Sequence, residues 1–159
     1  EQFFIPKDRL YYAEPEVQHS DETEERLPEK DRKTWQYIKG GKKLLRKSAS
    51  GHEYVFSEGP ISMIDEYDKP ARTMLTSEGS FNRSTHIVRD KKTGKIRLLT
   101  PIEAERIQGF PDDWTRKCLV NGEMVEMPLN KRRFMMGNAL VVNLIEQMER
   151  QLSDIFDNE

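Results

Sequence analysis

Few residues in this chain have types and spacings suited to chemistry. Gly137-Asn138 is one such pair. A glycine admits close approach of a ligand or another backbone. The Asn138 amide can face a carboxylate or cap the helix that follows, and a plain helix cap accounts for the pair at least as well. A second group is cationic. Arg72 stands before Thr73 and Thr76 in Ala-Arg-Thr-Met-Leu-Thr. That arrangement suits a phosphate ligand, although β-branched threonines also simply fill strands. Arg97 and Arg106 are either solvated charges or internal braces. The single cysteine, Cys118, excludes an internal disulfide and a cysteine-based zinc site.

A third group lies between residues 30 and 56. There Lys42, Lys43 and Arg46 are interleaved with Trp35, Tyr37, Tyr54 and Phe56. Lysines give salt-dependent affinity for phosphates, and Arg46 can read a base edge; a solvated loop is the bland alternative. The loop Ser77-Glu-Gly-Ser-Phe-Asn-Arg-Ser84 is a second stretch able to enter a groove, with Asn82 and Arg83 as its readers.

The elements that must position these residues are legible from local signals. Thr100, Pro101 and Glu103 form a capping box with proline at the first helical position, and Gly109 and Pro111 end that helix. Leu140, Val141, Leu144, Ile145, Met148, Leu152 and Ile155 fall on one face of a long terminal helix. Arg72–Thr76 is β-capable and Thr85–Arg89 alternates. Lys91-Lys-Thr-Gly94 and Asn121-Gly122 read as hairpin turns, while Gly40-Gly41 and Ser50-Gly51 punctuate the basic stretch. The expected fold class is α+β: a small twisted, mostly antiparallel β region, a short capped helix near 101–108 and a long C-terminal amphipathic helix near 139–156.

Composition adds bounds. With 34% charged and 35% hydrophobic residues, the core should be thin for 159 residues. The net charge of −2 hides an asymmetry: residues 1–29 hold nine acids and three bases, and residues 30–47 eight bases and one acid. An acidic, then mixed-charge, run over 14–33 is expected to be an exposed linker. The terminal helix has more apolar surface than this polar chain can easily cover, so either the local sheet or a partner surface buries it. No apolar run approaches the ~20 residues of a membrane span. Lone-cysteine usage suits a reducing, intracellular compartment. The chain opens EQFFIPKDRL, with neither an initiator Met nor a charged-then-apolar leader, which suggests a piece of something longer.

Three segments occur in order: Asp68-Lys-Pro-Ala-Arg-Thr-Met-Leu-Thr76 with Ser-Glu-Gly79 and His86-Ile-Val88; Arg97-Leu-Leu-Thr-Pro-Ile-Glu-Ala-Glu-Arg-Ile-Gln-Gly-Phe-Pro-Asp112; and Phe134-Met-Met-Gly-Asn-Ala-Leu-Val-Val142. Together they resemble the C-terminal part of bacterial DNA cytosine-5 methyltransferases. The first resembles the threonine-bearing end of the target recognition domain, the second motif IX and the third motif X. The resemblance is specific over about residues 60–145 and weak over 1–59, where such domains vary with the DNA they read.

The resemblance implies roles. Gly137, Asn138 and Ala139 would border the S-adenosylmethionine site. Arg72, Thr73, Thr76, Asn82, Arg83, Lys42, Lys43 and Arg46 would face double-stranded DNA, Thr73 being the better match to the family threonine. Arg97, Thr100, Glu103 and Arg106 would brace the recognition domain. The family's glycine-rich cofactor loop, Pro-Cys nucleophile, Glu-Asn-Val acid and Gln-x-Arg-x-Arg motif, all on a doubly wound α/β domain, are not in this sequence. Cys118, in Arg116-Lys-Cys-Leu119, does not match the nucleophile, so no catalytic residue is expected here. The blocks implied are 1–59, the variable part of the recognition domain; 60–99, its β-rich end; 100–135, motif IX and a connection; and 136–159, motif X with the last helix. The chain would be one part of a bacterial, cytoplasmic restriction-modification methyltransferase. Its implied partner is an N-terminal catalytic domain or subunit, and the alternatives are a small subunit of a two-chain enzyme or a non-catalytic DNA-binding module.

Overall fold

The computed structural model describes residues 3–11 and 29–156. Most of the acidic run expected as a linker lies outside them. The fold is α+β, built from six helices and three two-stranded sheets among the described residues. The chain divides into two compact units: Glu1–Tyr67 with Ile87–Arg97, and Asp68–His86 with Leu98–Glu159. The stretch 60–99 therefore contributes to both.

In the first unit, α1 (Lys7–Leu10), α2 (Glu29–Arg32) and α3 (Trp35–Lys39) precede a hairpin of β1 (Lys42–Lys47) and β2 (Glu53–Glu58). Thr34 caps α3 by accepting from the Tyr37 N–H at 3.3 Å. The hairpin is antiparallel, with Leu44 opposite Phe56 and Arg46 opposite Tyr54. Its turn falls at Ser50-Gly51, where the sequence places it; Gly51 has φ +86°. A second hairpin joins β3 (Ile87–Arg89) to β4 (Ile96–Leu98). Its turn is held by Asp90, whose Oδ1 accepts from the Lys92 N–H at 3.1 Å, the Thr93 N–H at 2.8 Å and the Thr93 hydroxyl at 2.9 Å. Those bonds, the backbone and hydroxyl of Thr93 foremost, hold the Asp90 carboxyl at about 2, below its ordinary 3.8. Leu10, Trp35, Tyr37, Leu44, Ile87, Val88 and Ile96 form the apolar core of this unit.

The second unit contains α4 (Pro101–Ile107), the antiparallel pair β5 (Lys117–Val120) and β6 (Glu123–Glu126), α5 (Leu129–Asn138) and α6 (Val142–Phe156). The capping box is present as the sequence implies: Glu103 N–H donates to Thr100 Oγ1 at 3.2 Å, and Thr100 N–H to Glu103 Oε2 at 2.8 Å. At the other end Gly109, with φ +81°, donates to Arg106 O while Phe110 N–H reaches Glu105 O, the paired bonds of a Schellman stop. Asn121 (φ +51°) and Gly122 (φ +87°) make the tight turn between β5 and β6.

Two local expectations are corrected. Arg72–Thr76 forms no strand. Its backbone runs irregularly, with the Arg72 guanidinium donating to Ser84 O at 3.1 Å and Thr85 O at 3.3 Å. A tertiary demand on that side chain overrides β propensity. Asn138 is not the N-cap of the last helix. It ends α5, which the sequence does not announce because its apolar residues gather on no single face and it contains Gly137, and α6 begins only at Val142. The apolar face of α6 is exposed among the described residues: Leu144, Met148, Leu152 and Ile155 all face solvent, as does Leu140 just before the helix.

Candidate functional site

The interior of the second unit is as much polar as apolar. Met74, Leu99, Ala104 and Met136 are buried there beside Glu78, Thr85, His86, Glu105, Gln108, Thr115, Arg132 and Arg133. Buried polar groups must find partners or cost stability, and here the partners link the three sequence segments.

Gly137 is the closest junction. A Cβ on it would lie 2.2 Å from the Leu75 carbonyl carbon and 2.4 Å from the Thr76 nitrogen. The α5 backbone thus rests directly on the threonine-bearing segment, and only glycine permits this. One turn earlier, Arg133 lies over Gly79 and its Nη1 donates to Gly79 O at 3.4 Å. Burial pulls the Arg133 guanidinium below its usual value, with Glu78 opposing. The α4 segment joins through Gln108, whose Nε2 donates to Met136 O at 2.7 Å and whose carbonyl accepts from Val142 N–H at 2.9 Å.

The strongest brace is one that the sequence does not single out. Glu105 is fully buried. Its carboxylate accepts from Arg132 Nη2 at 2.9 and 3.1 Å, from Asp113 N–H at 2.8 Å, from Thr115 N–H at 2.9 Å and from the Thr115 hydroxyl. Arg132 also donates to Asp113 Oδ1 at 2.9 Å. Burial pushes the Glu105 carboxyl up, but the Thr115 bonds and Arg132 outweigh it, and the net shift is below the ordinary 4.5. A signal for it exists. Pro101, Ala104, Glu105 and Gln108 are the buried positions of α4 and its cap, a helical stripe, and a carboxylate on a buried stripe demands a cation. His86 is likewise buried, with Nδ1 2.8 Å from Glu78 Oε2 and Nε2 3.2 Å from Arg72 O.

The residues singled out from sequence are distributed as follows. Arg106 pairs with Asp112 through two bonds of 2.7 and 2.5 Å, but both side chains are exposed, so this is a local pair. Arg97 belongs to the first unit, where Nε donates to Asp90 at 3.2 Å and Nη2 to the Tyr67 hydroxyl at 3.3 Å. Thr100 and Glu103 serve as the cap. Asn138 is exposed, and among the described residues its amide makes a single long bond of 3.4 Å, to Phe134 O, while Gly137 and Ala139 are half-buried. Thr73 and Thr76 are exposed, and Thr76 lines a cavity of about 220 Å³ with Ser77, Ser80, Asn130 and Lys131. Asn82 Oδ1 accepts from Ser84 N–H at 2.9 Å, shaping its own loop, and Arg83 is half-buried. In the first unit, Lys42 is tied to Glu58 at 2.8 Å and lies over the Tyr37 ring, Lys43 is exposed, and Arg46 lies over Phe56. Cys118 is half-buried on β5. Among the described residues no group of His, Cys, Asp or Glu is arranged to hold a metal ion, and no helix is long and apolar enough to cross a membrane.

These features sit within a known family. Residues 4–154 match the model of the C-5 cytosine-specific DNA methylases, and the chain belongs to that family. It is 50% identical over 121 residues to the Type II methyltransferase M.Sau3AI of Staphylococcus aureus; the match covers 76% of this chain and 27% of that protein. The chain thus spans about a quarter of the length of this curated relative. No solved structure matches it.

Proposed function

We propose that this chain is the target recognition domain with motifs IX and X of a bacterial DNA cytosine-5 methyltransferase. It binds the duplex and completes the cofactor wall for a catalytic portion that carries the nucleophile. The observation that carries this is Gly137. Its backbone contact with Leu75 and Thr76 locks the Gly-Asn pair to the threonine segment, so that a DNA-facing element and a cofactor-facing element move as one piece. The α4 helix, held by Glu105 and Arg132, fixes that piece from behind.

The cofactor fits as a partial site only. Asn138 presents an exposed amide suited to a carboxylate, with Gly137 and Ala139 giving it a close, uncharged floor. S-adenosylmethionine, when bound, supplies the methyl group that reaches carbon 5 of a flipped cytosine. The residues of this chain position and shield; Cys118 takes no part. The exposed apolar face of α6 is where the catalytic portion packs.

The test is a filter assay with labelled cofactor and duplex DNA. The 159-residue chain alone should transfer no methyl groups, and addition of the catalytic portion, in trans or as one polypeptide, should give transfer. Transfer by the chain alone sinks the proposal. An inactive complete protein that still binds DNA would instead favour a non-catalytic DNA-binding module.

A further inference from the structure

The β1–β2 hairpin is exposed on both of its faces along its outer half. Leu45 is 66% and Val55 56% exposed, a cross-strand pair on one face. On the other, Arg46 and Tyr54 are opposite each other and also exposed. Only Leu44, nearer the base, is buried. A two-stranded ribbon is marginal by itself in water, so one with two solvated faces and an apolar pair in the open is built to enter something. Its charge says what. Lys43, Arg46 and Lys47 project from β1, while Lys42 is neutralised by Glu58 at the base.

Arg46 differs from the arginines that are paired within the chain. Arg72 is committed to carbonyls, Arg97 to Asp90, Arg106 to Asp112, Arg116 to Glu126 and Arg132 to Glu105. The Arg46 guanidinium instead lies 3.9 Å above the Phe56 ring centroid, and among the described residues its N–H groups donate to none. A guanidinium stacked on an aromatic shelf keeps its planar edge free and loses little rotamer entropy on binding. That edge matches the O6 and N7 acceptors of guanine, and a two-stranded ribbon fits the major groove, about 12 Å wide.

We infer that the β1–β2 ribbon enters the major groove of the target duplex and that Arg46, held flat by Phe56, reads a guanine through its O6 and N7 edge. This rests on the DNA-recognition role proposed above and adds the specificity-determining residue. Lys43 and Lys47, on the opposite face of the ribbon, reach phosphates of the groove walls.

The test uses the complete methyltransferase containing this chain. Its site is first found by methylation of a random-sequence duplex library. Each guanine of the site is then replaced in turn by 7-deazaguanine, which lacks the N7 acceptor, and binding is measured by fluorescence anisotropy for the wild type, Arg46→Gln and Phe56→Leu. Wild type should lose affinity at one guanine, by about 2- to 12-fold, because 7-deazaguanine removes one of the two acceptors of a bidentate contact and keeps O6. Arg46→Gln should bind the natural site more weakly by about 5- to 150-fold, the range for a whole bidentate contact, and then lose less than about 1.5-fold further on deaza substitution at that guanine. Phe56→Leu should fall between the two, because the arginine remains but its shelf is gone. Three results would overturn the inference. One is equal deaza penalties in wild type and Arg46→Gln at every guanine. The second is a loss in Arg46→Gln that is the same for all DNA sequences and lowers the slope of log affinity against log salt by about 0.9, the mark of a phosphate contact. The third is a wild type that binds no duplex, which removes the DNA-recognition role itself.

Discussion

Replacing Arg132 by methionine tests the buried ion pair that joins α5 to α4. Glu105 is 0% exposed, and Arg132 supplies its only cationic partner among the described hydrogen bonds. Methionine keeps most of the volume but leaves a carboxylate buried without its counter-charge. Removing one partner of a buried pair costs about 3–5 kcal/mol. The lower end applies because Glu105 keeps the Asp113 N–H, the Thr115 N–H and the Thr115 hydroxyl. A loss of about 3 kcal/mol should lower the melting temperature by roughly 6–12 °C at this chain length. The double variant Glu105→Gln/Arg132→Met removes the charge with its partner and should recover about half of that loss, since neutral replacements of buried pairs are often tolerated. Thermal and urea unfolding of the chain, followed by circular dichroism, measures both. An Arg132→Met variant within about 1 kcal/mol of wild type, or a double variant less stable than the single one, refutes the assignment of Glu105 and Arg132 as the brace. The carboxyl is depressed in the fold, so its contribution is complete above the ordinary value of 4.5 and is lost as pH falls through the lower folded value. In Arg132→Met the acid transition should therefore begin at higher pH.

Other expectations follow from single contacts. Gly137→Ala gains up to about 1 kcal/mol of helix propensity, but its Cβ meets Leu75 backbone at 2.2 Å. Overpacking of that kind costs about 1–3 kcal/mol and should win, so a rise in melting temperature would refute the close contact. Asp90 should titrate near 2 by carbon-detected NMR, and Thr93→Ala should move it back toward 3.8; a wild-type midpoint already near 3.8 would remove the turn's bonding scheme. The stability that Asp90 gives the β3–β4 turn is present above 3.8 and fades as pH falls through about 2. Leu144→Glu, on the exposed face of α6, should leave the melting temperature of the isolated chain within about 2 °C, since surface changes rarely exceed 0.5 kcal/mol. It should prevent methyl transfer when the catalytic portion is added in trans, and full activity of that mixture would mean that α6 is not the packing face.

The signals that the sequence carried well are those completed within a few residues. Thr100 and Glu103 cap each other across three positions, Gly109 supplies the one left-handed residue that a Schellman stop requires, and Asn121-Gly122 has the two positive φ angles of a tight hairpin. The apolar periodicity of α6 was equally plain, because helical spacing alone determines which residues share a face. The ordered motifs also made the family legible. The sequence did not reveal α5, whose apolar residues gather on no single face and whose internal glycine weakens the helical signal, and it did not mark Glu105, the buried carboxylate next to the Arg106 that pairs with Asp112 at the surface.

What the sequence by itself determined, then, were caps, turns, faces and family, each set by steric and hydrogen-bonding rules that act over one or two turns of chain. Tertiary structure decided the employment of the charged residues. Arg72 went to backbone carbonyls, Arg132 to Glu105 across 27 positions, and Gly137 to the backbone of Leu75, while Arg46 was left on an aromatic shelf with its edge open. The physical reason is that a charge's role depends on which opposite charge or carbonyl comes within about 3 Å of it, and distant parts of the chain meet at that range only when the fold is complete.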